Sequence, residues 1–137
     1  MTNGKIQITV TGNLTADPEL RFTPNGTAVA NFVVASTPRI WDQQANEWKD
    51  GDASFMRTSV WYEQAENVAE SFRKGDRVVV TGVLGQRHWV DETTGDKKSM
   101  WEMRADEVAA SVRYARVKIA KMTRRTEPGT ESEQQNG

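Results

Sequence analysis

The chain has 137 residues, enough for one ordinary domain and a tail but too few for two separate cores. It carries 18 Lys and Arg against 19 Asp and Glu, with 36% hydrophobic and 27% charged residues, a mean hydropathy of -0.70 and no cysteine, which excludes a disulfide framework and a thiolate metal centre. The start, MTNGKIQITV, lacks a charged region followed by a long apolar run, and no stretch approaches the roughly 18 apolar residues of a membrane span, so the chain is read as cytoplasmic.

In chain order, Ile6, Ile8 and Val10 alternate with Gln7, Thr9 and Thr11, the period of a half-buried strand, and Gly12 interrupts it. Asp17-Pro18 and Pro24-Asn25-Gly26 punctuate the next stretch. Ala28 to Ala35 is apolar on both faces, as expected of a central, well-buried strand. Residues 37–52 contain Pro38, Trp41, Asn46, Trp48 and Gly51; a structureless loop of that length is unusual in a compact domain, so a projecting hairpin is predicted. Symmetry about residues 44–45 would pair Trp41 with Trp48 across it. Ser54 to Glu63 reads as a strand with Phe55, Arg57, Ser59 and Trp61 on one face and Met56, Thr58, Val60 and Tyr62 on the other.

One helix is predicted over QAENVAESFRKG, where Ala65, Val68, Ala69 and Phe72 form an apolar stripe and Gly75 stands where a C-terminal glycine cap belongs. Arg77 to Leu84 returns to strand, and residues 86–104 read as two strands joined at Thr93-Thr94-Gly95-Asp96. If that hairpin turns about Gly95, Trp89 and Trp101 stand opposite each other, with Trp101 bracing the hairpin. From Arg113 to Met122 the apolar residues fit a helix and a strand equally. The run Arg113, Arg116, Lys118, Lys121, Arg124 and Arg125 contains no acid, whereas the last twelve residues carry Glu127, Glu131 and Glu133 and no apolar anchor, as in a disordered tail. Together these elements predict an all-β domain, an OB-fold barrel with one capping helix and long projecting hairpins. A fold of this kind hosts several functions and does not by itself establish one.

Catalysis by an imidazole base would fall to His88, the only histidine, which lies between Arg87 and Trp89 and has no acid nearby in sequence. No Cys/His cluster, glycine-rich phosphate loop or spaced carboxylate metal site occurs, and Asp91-Glu92 and Asp106-Glu107 read as solvated turn charges. No enzyme, cofactor or metal is therefore expected. The five tryptophans point elsewhere: exposed rings beside Arg and Lys form platforms for unpaired bases, each base presenting a flat face while the cations follow the phosphates. Arg57 shares a face with Phe55 and Trp61, and Arg87 shares one with Trp89.

Residues 12–32, GNLTADPELRFTPNGTAVANF, closely resemble the opening of bacterial single-stranded DNA-binding proteins, with Gly-Asn-Leu, Asp-Pro-Glu-x-Arg and Gly-x-x-Val-Ala-x-Phe in order. QAENVAESFRKGDRVVVTGVL and QRHWVDE resemble the same family's helix, following strand and hairpin opening, so the likeness covers about residues 4–112. The resemblance implies a homotetramer around which single-stranded DNA wraps. It implies stacking aromatics at Trp41, Phe55, Trp61 and Trp89 and backbone-contacting cations at Arg21, Arg57, Arg73, Lys74 and Arg87, with His88 where the family often has Lys or Arg. Two departures stand out: Phe55-Met56-Arg57 replaces a usual Trp-His-Arg, and Trp61-Tyr62-Glu63-Gln64 replaces Phe-Gly-Lys-Leu.

The segment ARVKIAK resembles an extra strand that clasps a neighbouring subunit in actinobacterial members. The expected organisation is thus an OB-fold DNA-binding domain over 1–112, a basic clasping strand over 113–123 and a short disordered acidic tail over 124–137. Family members serving general replication end in an acidic tip with an apolar residue that recruits partner proteins, and ESEQQNG lacks that residue. This predicts a tail-deficient paralogue, nucleoid-associated, that coats DNA in replication, recombination, repair or uptake but recruits tail-binding proteins weakly or not at all. The alternative is an oligomeric protein-interaction module of the same fold.

Overall fold

The computed structural model describes residues 4–123. The sequence expectations for Arg124, Arg125 and the acidic tail lie outside the described residues. Eight strands and one helix follow in the order β1 (Ile6–Leu14), β2 (Glu19–Phe22), β3 (Ala28–Ser36), β4 (Arg39–Asp42), β5 (Glu47–Asp50), β6 (Ser54–Trp61), α1 (Glu63–Ser71), β7 (Arg77–Val90) and β8 (Lys97–Ala110). The short β2, absent from the sequence reading, pairs with β3 from Glu19↔Asn31 to Phe22↔Ala28.

Six strands form one sheet in the order β1-β7-β8-β6-β3-β2, and β1 also pairs with β3 at Asn13↔Ala35 and Leu14↔Val34, so the sheet closes on itself as an OB-fold barrel does. Gly12 makes that closure possible, because a Cβ there would overlap the Ala35 carbonyl. No helix among the described residues is long and apolar enough to cross a membrane.

The period-2 patterns decide what fills the barrel. Leu14, Val34, Val60, Val78, Val80 and Met103 point inward and are buried, and β3 contributes Ala30 and Phe32 as the most enclosed strand. The helix lays Ala65 and Val68 on this core. It ends earlier than predicted, at Ser71, with Phe72 already extended at φ -114° and ψ 152°. Gly75 is not its cap: the Arg73 guanidinium donates to the Ala69 and Phe72 carbonyls at 2.8 and 2.7 Å, while Gly75, at φ 92°, serves the following turn.

Between Thr81 and Gly82 the β7–β8 register shifts, Thr81 pairing with Glu107 and Gly82 with Ala105, so that Asp106 is bulged. Asp106 and Glu107 therefore lie in a strand rather than in the solvated turn expected. Gln64 of the helix fills the gap, donating to the Asp106 carbonyl at 3.1 Å and accepting from the Val108 N–H at 2.8 Å. Beyond the barrel project the β4–β5 hairpin and the outer part of β7–β8. Residues 113–123 form neither helix nor strand in this chain and are exposed.

Candidate nucleic-acid interface

The strands that bury Val34, Val60 and Met103 on one face carry a different set of residues on the other. In β6 the outward face holds Phe55, Arg57, Ser59 and Trp61, as the alternation predicts. Pairing carries that face across the sheet: Glu19 opposes Asn31, Asn31 opposes Ser59, Ser59 lies beside Arg104 in parallel, and Arg104 opposes Val83. One turn of pleat away, Arg21, Val29 and Trp61 form a second row.

These rows line an open groove of about 720 Å³ that includes Asp17, Arg21, Asn31, Arg57, Trp61 and Arg87. The groove is not uniformly basic. Arg21 contacts Glu19 at 3.1 Å and Arg87 contacts Glu102 at 3.8 Å, both solvent-exposed pairs. Arg57 is exposed and forms no ion pair among the described residues. It is the cation most available to an incoming anion.

The rings are held by guanidinium groups. Arg104 lies over the Trp61 ring, 5.4 Å from its centroid, and Arg87 over the Trp89 ring at 5.2 Å. Each pair joins a flat π surface to a fixed positive charge, the combination that suits a flexible polyanion with unpaired planar bases. A duplex keeps its base faces stacked inside and would not present them to these rings.

Of the residues expected from sequence, Arg21, Arg57, Trp61 and Arg87 meet in the groove. Trp89 continues the same face onto the outer β7–β8 ribbon, two residues beyond Arg87. Phe55 occupies the far end of the β6 face, opposite Ala35, and is 65% exposed. Trp41 lies on the separate β4–β5 hairpin, where it does oppose Trp48, with ring centroids 5.4 Å apart in an edge-on arrangement. Arg73 is occupied as a helix cap, and the Lys74 N–H donates to Asp17 at 2.8 Å, which ties this turn to the groove's rim. His88 points to the opposite side of the ribbon from Arg87 and Trp89.

The expected Trp89–Trp101 pair does not form. Trp89 opposes Lys98 and Trp101 opposes Gln86, which sets the two tryptophans on opposite faces of the ribbon. The turn is centred between Thr93 and Thr94, not on Gly95. Asp91 organises it, accepting from the Thr93 and Thr94 N–H groups at 2.8 and 3.3 Å, while Gly95 takes the positive φ of 78° on the far side of the loop. A glycine in a hairpin loop marks the left-handed residue, which need not be the midpoint.

Two residues of the site escaped the sequence reading. Arg104 reaches Trp61 only because β6 and β8 pair in parallel at Thr58↔Met103 and Ser59↔Arg104, a contact with no local signature. The alternation of Lys98, Met100, Glu102 and Arg104 could have placed it on one face of its strand. Tyr62, assigned to the inner face of β6, instead turns outward at φ 66° and ψ -146°, is 64% exposed and lies 6.5 Å from the Trp61 centroid.

The model of the single-strand binding protein family matches residues 6–111, and the chain belongs to that family. It is 57% identical over 121 residues to the single-stranded DNA-binding protein of Mycolicibacterium smegmatis, covering 88% of this chain and 73% of that one. It is 54% identical over 126 residues to the protein of the same name from Paenarthrobacter aurescens, covering 92% and 73%. Among solved structures it is similar to a small single-stranded DNA-binding protein from Streptomyces coelicolor, with a TM-score of 0.68, 30% identity and coverage of 80% of this chain and 96% of that one.

Proposed function

We propose that this chain binds and coats single-stranded DNA without strong sequence preference, stacking bases on its outward rings and guiding phosphates along its guanidinium groups. The observation that carries the reading is the continuous outer face on which Phe55, Arg57, Trp61, Arg104, Arg87 and Trp89 follow one another across three neighbouring strands. Its family membership supports the same reading. The action is binding rather than catalysis, and it serves DNA replication, recombination, repair or uptake, in the cytoplasm where the nucleoid lies.

The reading includes assembly as a homotetramer. Residues 113–123 support a clasping role toward a neighbouring subunit, because Tyr114, Val117, Ile119 and Met122 are 74%, 45%, 83% and 67% exposed and would gain from cover. Tyr114 anchors the start of this segment, with Arg77 and Arg113 guanidinium groups 5.4 and 5.5 Å from its ring centroid.

Titration of intrinsic tryptophan fluorescence with oligo-dT, at low and at high salt, tests the proposal. Quenching that saturates at a fixed nucleotide ratio and weakens as salt rises is expected. A folded protein whose fluorescence does not respond would return the exposed rings to a protein-interaction module.

A further inference from the structure

The outer β7–β8 ribbon has two faces, and the groove accounts for only one. On the groove side lie Arg87, Trp89, Lys98 and Met100; on the reverse side lie Gln86, His88, Val90, Lys97, Ser99 and Trp101. The reverse side carries a large ring at 51% exposure, one lysine, and hydrogen-bonding groups on Gln86, His88 and Ser99, but no carboxylate. Its geometry is braced from within, since the Gln86 amide donates to the Ser99 hydroxyl at 3.0 Å directly beside Trp101.

We infer that Trp101 forms a second base-stacking site on the reverse face, so that a single strand leaving the groove passes over the ribbon and is held on both of its sides. The inference rests on the DNA-binding reading above. Charge complementarity favours a nucleic acid as the occupant: beside the ring the face offers the hydrogen-bonding groups of Gln86, His88 and Ser99, further along it one cation, Lys97, and among these residues no acid to repel phosphate. A second copy of the chain is a poorer match. Toward the tip, Trp101 and Val90 are separated by the polar His88–Ser99 pair; toward the barrel the same face adds only half-buried Leu84 and exposed Ile6, and so few residues fall well short of the roughly 800 Å² per partner of a stable protein interface. The sheet's alternation thus places tryptophans on opposite faces, Trp89 beside Arg87 and Trp101 beside Gln86.

Two measurements test this. In the first, the intact protein is irradiated with an oligonucleotide containing 5-iodouracil, and crosslinked peptides are mapped. Crosslinks at Trp101 as well as at Trp61 or Trp89 are expected. Crosslinks at the groove rings with none at Trp101 would overturn the inference while leaving the groove reading intact. Absence of binding and of any crosslink would overturn both.

In the second, Trp101→Leu keeps apolar bulk but removes the flat face. Its affinity should fall about 5- to 150-fold for an oligo-dT several times longer than the groove site, while an oligomer of about 8 nucleotides, within the span of one OB-fold, binds as before. Unchanged affinity for the long oligomer would refute the site. If sedimentation then showed a changed assembly state, the ring's occupant would be a second copy.

Discussion

Replacing Arg57 with Gln separates the charge of the groove from its rings. Arg57 is exposed on the groove face, flanked on β6 by Phe55 and Ser59, and it has neither an ion pair nor a ring contact among the described residues. Its contribution should therefore be almost wholly electrostatic, through release of one counterion per phosphate neutralised. On a single strand that corresponds to a change of about 0.7 in the slope of log K against log salt for each chain the strand engages. Between about 0.05 M and about 0.2 M salt, the advantage of the wild type over R57Q should shrink by about 2.6-fold per engaged chain, because fourfold more salt is raised to that power.

Trp61→Ala supplies the contrast. Loss of its ring should weaken binding by about 1–3 kcal/mol at every salt concentration, with the slope retained. Fluorescence anisotropy of a labelled oligo-dT across a salt series reads both quantities. An affinity shift in R57Q with an unaltered slope, or a slope flattened by Trp61→Ala as much as by R57Q, would refute this division between charge and ring.

Three further outcomes follow from the surrounding structure. Tyr62 occupies a backbone conformation close to one used almost only by glycine, so Tyr62→Gly should raise stability by about 1 kcal/mol, measured as a higher urea midpoint at constant m; a lower midpoint would show that its ring contributes more than the strain costs. Gly82→Ala should destabilise by about 1–3 kcal/mol, because the new Cβ would overlap the Arg104 carbonyl and lie 2.9 Å from the Ala105 Cα, and a thermal midpoint equal to wild type would refute it. Asp42 has its pKa lowered below 3.8, first by the Ala45 backbone N–H and then by Lys49, so the β4–β5 hairpin should be steadied by this carboxylate above that value and lose the support as pH falls through the lower folded-state value. The coupled circular-dichroism signal of the Trp41–Trp48 pair should fade over that acid window, and a signal unchanged well below it would sink the assignment.

What was legible from sequence was mostly what a single strand or hairpin specifies for itself. The two faces of β6, the enclosed β3, the helix stripe and the Trp41–Trp48 pair all follow from local periodicity or a short symmetric turn. Hidden from it were features set by two segments at once. The β7–β8 register depends on how Asp91 folds a six-residue loop, and Arg104 meets Trp61 only through a parallel contact between strands more than forty residues apart. Tyr62 defied its alternation because the chain must turn there from β6 into α1, with its N–H donating to the Ala28 carbonyl at 2.9 Å. The assembly and the residue roles that the resemblance implies concern partners, and no local pattern encodes them.

The division of β6 into a core face and a groove face also acts like a reading frame. Insertion or deletion of one residue between Ser54 and Arg57, unless absorbed by a bulge like that at Asp106, would turn Thr58 and Val60 outward and drive Arg57 and Trp61 into the barrel, destroying core and groove together. A change of length at the loop after Asp42 or after Val90 moves only a hairpin tip. Descendants of this fold can thus lengthen or shorten their projecting arms freely while the groove stays constant, so that the reach of the protein along a strand and the chemistry with which it holds that strand can diverge independently.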